Sequence, residues 1–255
     1  MVTLAYHLVS KDFYAGVTRV SPRVFLRQMN YLAENGFSTS LASADLTGGC
    51  TASAKGVCLT FDDAYECVFA NAFPILHDHG FCASVFVIAG YVGRHNSWDV
   101  QLSRPVRHMN WQQLRTLAAA GWEIGSHSLS HRDLSSLPTK ALLAEVVDSK
   151  ACLEDHLGCP VRAFSYPFGV FSERVVEVVR NAGYLVAYGM HVPEKLKGLE
   201  FHPFNRARRP VYLFDSRRSF ATKLSDNATC CQALFERVVN FSSRGTILVK
   251  GSKIA

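Results

Sequence analysis

The sequence predicts one α/β domain in which parallel strands are connected by crossover helices. Short apolar, β-branched segments alternate with longer helical segments, and this alternation is typical of parallel sheets. The 255 residues are enough for one large domain, and 48% of them are apolar, which is sufficient for one core. No internal repeat and no linker rich in Pro, Gly or Ser divides the sequence. The pattern fits an open doubly wound sheet or a closed barrel, and in both the functional residues gather where strands end.

The predicted elements follow one another along the chain. The predicted strands are at 2–7, 57–62, 83–89, 122–126, 161–166, 184–189, 207–213 and 246–250. The predicted helices are at 21–36, 65–80, 110–121, 138–158, 171–183 and 228–244. In the first predicted helix, Ser21 and Pro22 favour a helix start and Gly36 favours its end. The polar, irregular segment 90–109 is predicted to be a long loop over one face.

Cysteine usage and the N-terminus bear on the cellular compartment. The cysteines are scattered and lack the paired spacing of a structural zinc site; they are at 50, 58, 67, 82, 152, 159, 230 and 231. Thiols in apolar segments are typical of reduced cytoplasmic proteins. The first residues lack the basic segment, apolar run and cleavage site of a signal peptide. No stretch approaches the roughly 20 apolar residues of a membrane span, so we expect a cytoplasmic protein.

Positive charge is concentrated near the end of the predicted sheet. The net charge is +6, and five arginines lie in residues 206–218, RARRPVYLFDSRR. A solvated basic face explains such a cluster, and the alternative is contact with an anionic glycan, a lipid-linked saccharide or an anionic membrane surface. No recognised nucleic-acid-binding motif accompanies the arginines, so a nucleic acid is not expected as a partner.

Two adjacent carboxylates, Asp62 and Asp63, end a predicted buried strand in the segment TFDD. Like charges so close repel each other and resist losing their water. A cation that neutralises one of them would allow both to persist there. The alternative is that Asp63 caps the helix that follows and accepts hydrogen bonds from its free amides.

A histidine pair and a tight turn follow two other predicted strands. In GSHSLSH, His127 and His131 are four residues apart, so on one face of a helical turn they can converge on a metal ion. Two imidazoles and a carboxylate are the ligand set of a catalytic zinc site, and a second carboxylate beside it is free to act as general base. In FSYPFG, Pro167 and Gly169 predict a tight turn. That turn either presents a backbone amide to a cavity or simply links a strand to a helix.

The three segments occur in the order of the motifs of a known family. With TFDD at 60–63, HSLSH at 127–131 and SYPFG at 165–169, the sequence resembles the polysaccharide deacetylase family, carbohydrate esterases that share the NodB homology domain. The resemblance extends over most of the chain and implies one deacetylase domain over residues 1–255. It implies a distorted, incomplete (β/α) barrel of seven or eight units. The implied reaction is hydrolysis of the N-acetyl group of a poly- or oligosaccharide, free or lipid-linked, with release of acetate.

The resemblance also assigns roles to individual residues. It implies that Asp62 is the catalytic base and that Asp63, His127 and His131 bind a divalent metal. Zinc is the metal we expect, and cobalt, nickel and iron suit the same nitrogen and oxygen ligands. The backbone amide of Phe168 is the implied oxyanion donor.

The sequence departs from the family pattern at two functional positions. Ser165 replaces an arginine that orients the base in the family, and Arg208 is a candidate to supply that charge from a later strand. Lys250 stands where a late motif carries the histidine that acts as general acid. In the branch resembling poly-β-1,6-N-acetylglucosamine deacetylases the motifs are permuted and the first strand carries this histidine, which places His7 of LAYH in that role. We therefore predict His7 as the general acid, with Lys250 as the alternative.

Several functional questions stay open at the level of sequence. Tyr166 and Pro167, in the third motif, are candidates for a position beside the substrate, and Tyr166 could equally be packed in the core. A deacylase of another amide or ester, such as an O-acetyl sugar or a cyclic imide, would use the same metal site. A non-catalytic glycan-binding module on the same fold is the second alternative. The sequence predicts no particular oligomeric state.

Overall fold

The computed structural model describes most of the chain, namely residues 1–14, 16–44, 55–97, 105–190 and 203–225. The helix predicted at 228–244 and the strand predicted at 246–250, which carries Lys250, lie outside the described residues. Within the described ranges, every helix is too short or too polar to cross a bilayer.

The strands and helices are short and follow the predicted alternation. The strands are β1 Val2–Tyr6, β2 Leu8–Val9, β3 Arg19–Val20, β4 Phe37–Ser40, β5 Lys55–Phe61, β6 Ser84–Val87, β7 Glu123–Ser126, β8 Ala163–Ser165, β9 Val186–Gly189, β10 Arg206–Ala207 and β11 Arg209–Pro210. The α-helices are α1 Pro22–Glu34, α2 Phe73–Asp78, α3 Trp111–Ala119, α4 Thr139–Leu143, α5 Ser149–Leu157, α6 Glu173–Asn181 and α7 Arg217–Lys223. β2, β3, β4 and α7 were not predicted from the sequence.

Two of the predicted helices contain widened, π-helical turns. Val68–Ala72 forms such a turn directly before α2, and Ala144–Asp148 forms another between α4 and α5. The helix predicted over 138–158 is therefore continuous in space but changes its hydrogen-bonding pattern in the middle. A π-helical turn inserts an extra residue per turn and is frequently found at functional sites.

The main sheet is parallel and closes almost completely into a barrel. Its strands lie in the order β10-β9-β8-β7-β6-β5-β1-β11, and β4 pairs with the first half of β5. The segment 206–210 pairs with β9 through β10 on one side and with β1 through β11 on the other, so it joins the two edges. Of the two predicted architectures, the closed barrel is thus confirmed and the open sheet is not. The single strand predicted at 207–213 is wrong, because pairing is interrupted at Arg208.

The core consists of a filled barrel interior and a layer between the sheet and the helices. Cys58, Phe86 and Tyr188 belong to the smaller, interior cluster of buried side chains. In the outer layer, the Tyr6 ring packs against Phe25 of α1 at 5.3 Å between centroids and against Phe61 of β5 at 5.4 Å. Both faces of the sheet are covered, which explains why its strands appear in the sequence as nearly continuous apolar segments. Because the strands are parallel, their carboxyl ends meet at one rim.

Candidate active site

Asp62 and Asp63 follow β5 at the carboxyl-terminal rim of the barrel. The Asp62 amide still donates to the Tyr6 carbonyl at 2.9 Å, in continuation of the β1–β5 pairing. The backbone then turns sharply, because Asp63 and Ala64 have φ angles of 67° and 52° in the left-handed region. The next helical segment begins at Glu66, three residues after Asp63. Asp63 is therefore not the helix cap that the sequence left as an alternative.

Three potential metal ligands converge on this rim. The Oδ1 atom of Asp63 lies 3.7 Å from Nε2 of His127 and 3.6 Å from Nε2 of His131, and all three side chains are buried. Their candidate ligand atoms lie within 4.8 Å of one another. The set of two imidazoles and one carboxylate matches a catalytic zinc site that leaves a coordination position open. These residues therefore fit a divalent cation.

The protonation state of the histidines also suits metal binding. Burial lowers the pKa of His127 and lowers that of His131 well below its ordinary value, so both are neutral at pH 7. Neutral imidazole is the form that coordinates a metal. The Nδ1 atom of His127 donates to the Ser165 carbonyl at 2.7 Å, which leaves its Nε2 atom directed to Asp63. Such a contact fixes both the tautomer and the ring orientation.

The two histidines converge through a loop and not through the helical turn that their spacing suggested. His127 directly follows β7, and Ser128 and His131 have φ angles of 67° and 58°. The Ser128 hydroxyl accepts a hydrogen bond from the His131 amide at 3.0 Å. The prediction that the pair converges is confirmed, and the predicted helical geometry is wrong.

Asp62 is held by a buried arginine, Arg208, which lies between β10 and β11. Nη1 and Nη2 of Arg208 each lie 2.7 Å from an Asp62 carboxylate oxygen. Nη2 also donates to the Ser165 hydroxyl at 2.8 Å, and Nη1 donates to Thr60 at 3.2 Å. Burial alone would raise the pKa of Asp62, but the charge and hydrogen bonds of Arg208 outweigh it and hold that pKa well below its ordinary value. Arg208 thus lies beside Asp62 and in contact with Ser165, the position predicted for it from the sequence.

His7 follows β1 and borders the same carboxylate. Its Nε2 atom lies 4.0 Å from Oδ2 of Asp62, and its side chain is 22% exposed. Desolvation lowers the pKa of His7 to about 4, although the charge of Asp62 opposes this shift. His7 is therefore neutral at pH 7 in the substrate-free protein.

The third motif forms a tight turn that borders the histidines. Pro167–Gly169 is a short 3₁₀ turn in which Phe168 has a left-handed φ angle of 57°. The Phe168 ring packs edge-on against the ring of His131, with 4.6 Å between centroids. Its backbone amide belongs to this turn at the rim, and Pro167 is buried at the start of the turn.

Tyr166 is a core residue and not a sugar contact. Its side chain is 1% exposed, and its hydroxyl donates to the Phe204 carbonyl at 3.0 Å. Its ring stacks on Phe171 with 4.5 Å between centroids. The packing alternative is therefore correct, because no face of the ring is available to a substrate.

The arginine-rich segment 206–218 is not one uniform basic face. Arg208 is buried against Asp62, and Arg209 donates to the carbonyls of Lys223 and Ser225 at 2.7 Å each. Arg217 and Arg218 are exposed. Part of the cluster therefore serves the site and the barrel closure.

Two residues near the site were not identified from the sequence. The Nδ1 atom of His108 donates to the Asp63 carbonyl at 2.6 Å, and burial lowers the pKa of His108 to about 4, which keeps it neutral. Glu145, in the π-helical turn, accepts hydrogen bonds from the loop between His127 and His131. A single histidine in a polar loop and a single glutamate in a helix carry no distinguishing sequence pattern.

Comparison with known proteins places the chain among deacetylases. YxkH of Bacillus subtilis (strain 168) is 29% identical over 184 residues, which cover 71% of this chain and 61% of YxkH. The poly-β-1,6-N-acetyl-D-glucosamine N-deacetylase of Staphylococcus aureus (strain MRSA252) is 27% identical over 150 residues, which cover 55% of this chain and 49% of that protein. The chain thus spans about half to three fifths of the length of these relatives.

Solved structures show the same fold. Streptococcus pyogenes deacetylase PplD, solved in complex with acetate, superposes with a TM-score of 0.75 at 19% identity, over 88% of this chain and 98% of PplD. IcaB from Ammonifex degensii superposes with a TM-score of 0.68 at 25% identity, over 88% of this chain and 94% of IcaB. The sequence model of the polysaccharide deacetylase family matches residues 50–187, the part of the chain that carries all three motifs. The chain belongs to the polysaccharide deacetylase family.

Proposed function

We propose that the protein is a metal-dependent hydrolase that removes the acetyl group from an N-acetylated sugar of a glycan and releases acetate. The observation that carries this proposal is the pair of adjacent carboxylates with different environments. Asp63 faces the two neutral imidazoles of His127 and His131, and Asp62 is held ionised by Arg208. A binding module has no need of this division, whereas amide hydrolysis needs both a cation and a base.

Asp63, His127 and His131 are the residues that would hold the cation. A divalent cation bound by such ligands lowers the pKa of water and polarises an amide carbonyl. Zinc is the cation we propose, because the donor set of nitrogen and oxygen atoms suits it, although cobalt, nickel and iron accept the same donors.

Asp62 is proposed as the general base. Arg208 keeps its carboxylate ionised at neutral pH, so it is available to accept a proton from the attacking water. The two-point contact with Arg208 also fixes the direction of the carboxylate. In this role Arg208 takes the place of the family's arginine, whose position in the third motif is occupied by Ser165.

His7 is proposed as the general acid for the departing amine. Because its pKa is lowered to about 4, it does not enter the reaction protonated at neutral pH. Its Nε2 atom is 4.0 Å from Oδ2 of Asp62, so a shift of about 1 Å that brings the two atoms within hydrogen-bond distance lets a proton taken up by Asp62 pass to His7. His7 can then donate that proton to the sugar nitrogen. Lys250, the alternative acid, lies outside the described residues.

The turn of the third motif is proposed to stabilise the negative charge that develops on the carbonyl oxygen. The backbone amide of Phe168 is the donor we propose, since its turn borders the metal ligands through the contact of Phe168 with His131. Backbone amides held in a rigid turn need no reorganisation as the charge develops.

The substrate class is inferred from the relatives together with the site. The S. aureus relative is named as an N-deacetylase of poly-β-1,6-N-acetyl-D-glucosamine, and we propose a related N-acetylglucosamine glycan here. A lipid-linked form of that glycan, or contact with an anionic membrane through Arg217 and Arg218, would use the exposed part of the arginine-rich segment.

The test is acetate release from β-1,6-linked and β-1,4-linked N-acetylglucosamine oligomers. Acetate is measured for the zinc-loaded protein, for the protein stripped with a chelator, and for the stripped protein after zinc is restored. We expect release that disappears on stripping and returns with zinc. Full activity in a demetallated sample would contradict the metal mechanism. Glycan binding without acetate release would favour a binding module, and release only from O-acetyl sugars or cyclic imides would identify another deacylase.

A further inference from the structure

The loop that links the two histidine ligands has an unfavourable backbone conformation. Ser128 and His131 both have φ angles in the left-handed region. For residues other than glycine this conformation costs about 1–3 kcal/mol each and persists only where the surrounding structure enforces it. The hydroxyl of Ser128 accepts from the His131 amide, but this contact lies within the loop. Contacts from outside the loop must therefore hold it.

Glu145 binds the amide side of this loop. Its Oε2 atom accepts hydrogen bonds from the amides of Leu129 at 3.0 Å and Ser130 at 2.8 Å. Its Oε1 atom accepts from the Ser130 hydroxyl. Glu145 is only 5% exposed, so these contacts form in a buried environment where hydrogen bonds to a charged acceptor are strong.

The chain after β6 binds the carbonyl side of the same loop. The Ala89 amide donates to the Ser128 carbonyl at 3.1 Å, and the Gly90 amide donates to the Leu129 carbonyl at 2.8 Å. The approach at Gly90 is so close that a Cβ atom there would lie 2.6 Å from the Leu129 oxygen. The loop is therefore held between the segment that follows β6 and the carboxylate of Glu145.

The position of Glu145 depends on the π-helical turn Ala144–Asp148. Glu145 lies in this turn between α4 and α5 and points its carboxylate to the rim, while its neighbour Val146 is fully buried in the core. One widened turn thus supplies both a core side chain and a polar contact to the loop. This is a local change of helix geometry next to a functional site.

We propose that Glu145 is a positioning residue for the metal centre. It holds residues 128–131 in the left-handed conformation that directs His131 to Asp63 and His127. The proposal rests on the metal site of the proposed function, because its effect is exerted on His131 as a ligand. Loss of a residue that orients a metal ligand lowers metal affinity about 10- to 100-fold.

The test is the dissociation constant for Zn²⁺, measured on the full chain by competition with a chromophoric chelator. Glu145→Ala should weaken zinc binding by about 10- to 100-fold. Glu145→Gln keeps an acceptor oxygen for the two amides, so its affinity should be closer to that of the wild type than to that of Glu145→Ala. Ser130→Ala removes only the hydroxyl contact and should weaken binding by about two- to tenfold.

The matched control is Glu123, which makes the same kind of contacts at the opposite end of the barrel. Its Oε2 atom accepts from the Ser43 amide at 3.0 Å and from the Ser84 hydroxyl at 2.9 Å. Glu123→Ala should lower the thermal midpoint and leave the zinc dissociation constant unchanged. An equal loss of zinc affinity in Glu123→Ala would overturn the proposal, because general destabilisation would then explain the effect.

The remaining outcomes separate this proposal from the proposed function. Wild-type affinity in Glu145→Ala would overturn the positioning role alone. A Glu145→Gln variant as weak as Glu145→Ala would also overturn it, because the charge and not the hydrogen bonds would then be responsible. If Glu145→Ala does not fold, Glu145→Gln and Ser130→Ala decide the question. A wild-type protein that binds no zinc would overturn both proposals.

Discussion

Asp62 and Asp63 are neighbours in sequence, but their carboxylates face different charged and polar groups. Asp62 receives two hydrogen bonds of 2.7 Å from the Arg208 guanidinium, so the chain itself supplies the compensating charge. Asp63 faces His127 and His131, whose pKa values are lowered by burial, and two neutral imidazoles supply no positive charge. A divalent cation bound by Asp63 and the two imidazoles would supply positive charge on this side of the rim.

This difference would allow one strand end to carry both the proposed base and a proposed metal ligand. On one side of the rim, the Arg208 side, the charge of Asp62 is compensated by protein atoms alone. On the other, the histidine side, Asp63, His127 and His131 have the composition of a site that a cation completes. Asp63 reaches that side because its left-handed backbone turns it away from Asp62. Substitutions on each side of the rim test whether the two sides are independent.

The largest expected effects come from exchanging each carboxylate for its amide. Asp63→Asn removes a ligand charge, so the protein should lose its metal and fall to the activity of the chelator-stripped wild type. Asp62→Asn should retain the metal and lose about 10²- to 10⁴-fold in kcat, the usual contribution of a general base. Metal content, measured by inductively coupled plasma mass spectrometry, and acetate release together distinguish the two variants.

The chain offers a matched control in Asp78, an exposed carboxylate at the end of α2. Asp78→Asn should keep both metal and activity. If Asp62→Asn lost its metal while Asp63→Asn retained it, the two roles would be exchanged. Loss of metal in both variants would show that the two sides of the rim are coupled.

The sequence was sufficient to identify both sides, but not to explain how they are built. The candidate ligands and the candidate base were predictable because Asp62 and His127 directly follow apolar strands, Asp63 and His131 come shortly after them, and parallel strands bring their carboxyl ends together. The loop geometry was not, because His127 and His131 at a spacing of four residues suggest a helical turn. The left-handed conformation of His131 depends on distant contacts from Gly90 and Glu145.

The closure of the barrel could not be predicted from local sequence patterns either. Residues 207–213 have the composition of one strand, yet the chain changes its partner strand at Arg208, from β9 to β1, and the Arg208 side chain binds Asp62. A buried arginine within a strand becomes meaningful only when its partner, distant in sequence, is known. Tyr166 illustrates the converse, because an aromatic residue in a motif has the same sequence pattern whether it binds a sugar or packs against Phe171.

Removing the cation that the protein supplies should weaken both stability and activity. Arg208→Met leaves Asp62 buried without its partner, which should cost about 3–5 kcal/mol of unfolding free energy at pH 7. Because Arg208 lowers the folded-state pKa of Asp62, its contribution is complete above the unfolded pKa of about 3.9 and is lost as the pH falls through the folded-state value. The difference between the variant and the wild type should therefore shrink only below the unfolded pKa of Asp62. Urea unfolding at pH 7 and at about pH 2.5 measures it.

The same variant should also change the pH dependence of catalysis. Without Arg208 the pKa of Asp62 rises, because desolvation is then less strongly opposed, so the acidic limb of kcat/KM should move to higher pH. Arg217→Met is the matched control, since Arg217 belongs to the same segment and is 77% exposed. It should change stability by no more than about 0.5 kcal/mol. An unchanged acidic limb in Arg208→Met would contradict the role of Arg208 in setting the charge of the base.

The acid role of His7 predicts an intermediate effect. His7→Ala should lower kcat by about 10²-fold, the lower end of the usual range for an acid or base, and should leave metal content unchanged. If His7 had to enter the reaction protonated, activity would fall as the pH rises through its pKa of about 4. Because the proposed route passes the proton from Asp62, we expect wild-type activity to persist at pH 7. Lys250→Ala is the comparison, and the variant with the larger loss identifies the acid.

The smallest expected effect belongs to Ser165, which contacts both sides of the rim with different atoms. Its hydroxyl accepts from Arg208 at 2.8 Å, and its carbonyl accepts from His127 at 2.7 Å. Ser165→Ala removes the hydroxyl's contact with Arg208 and its weaker contact with Asp62 at 3.5 Å, but not the carbonyl contact. It should therefore cost about 1 kcal/mol of stability and a few-fold in kcat, with zinc affinity unchanged. Ser126→Ala, which removes a buried hydroxyl contact to Ser149 at 2.9 Å, should cost similar stability without loss of kcat. A Ser165→Ala variant that loses zinc affinity would mean that the hydroxyl also supports the histidine side, so that the two sides share more than a backbone carbonyl.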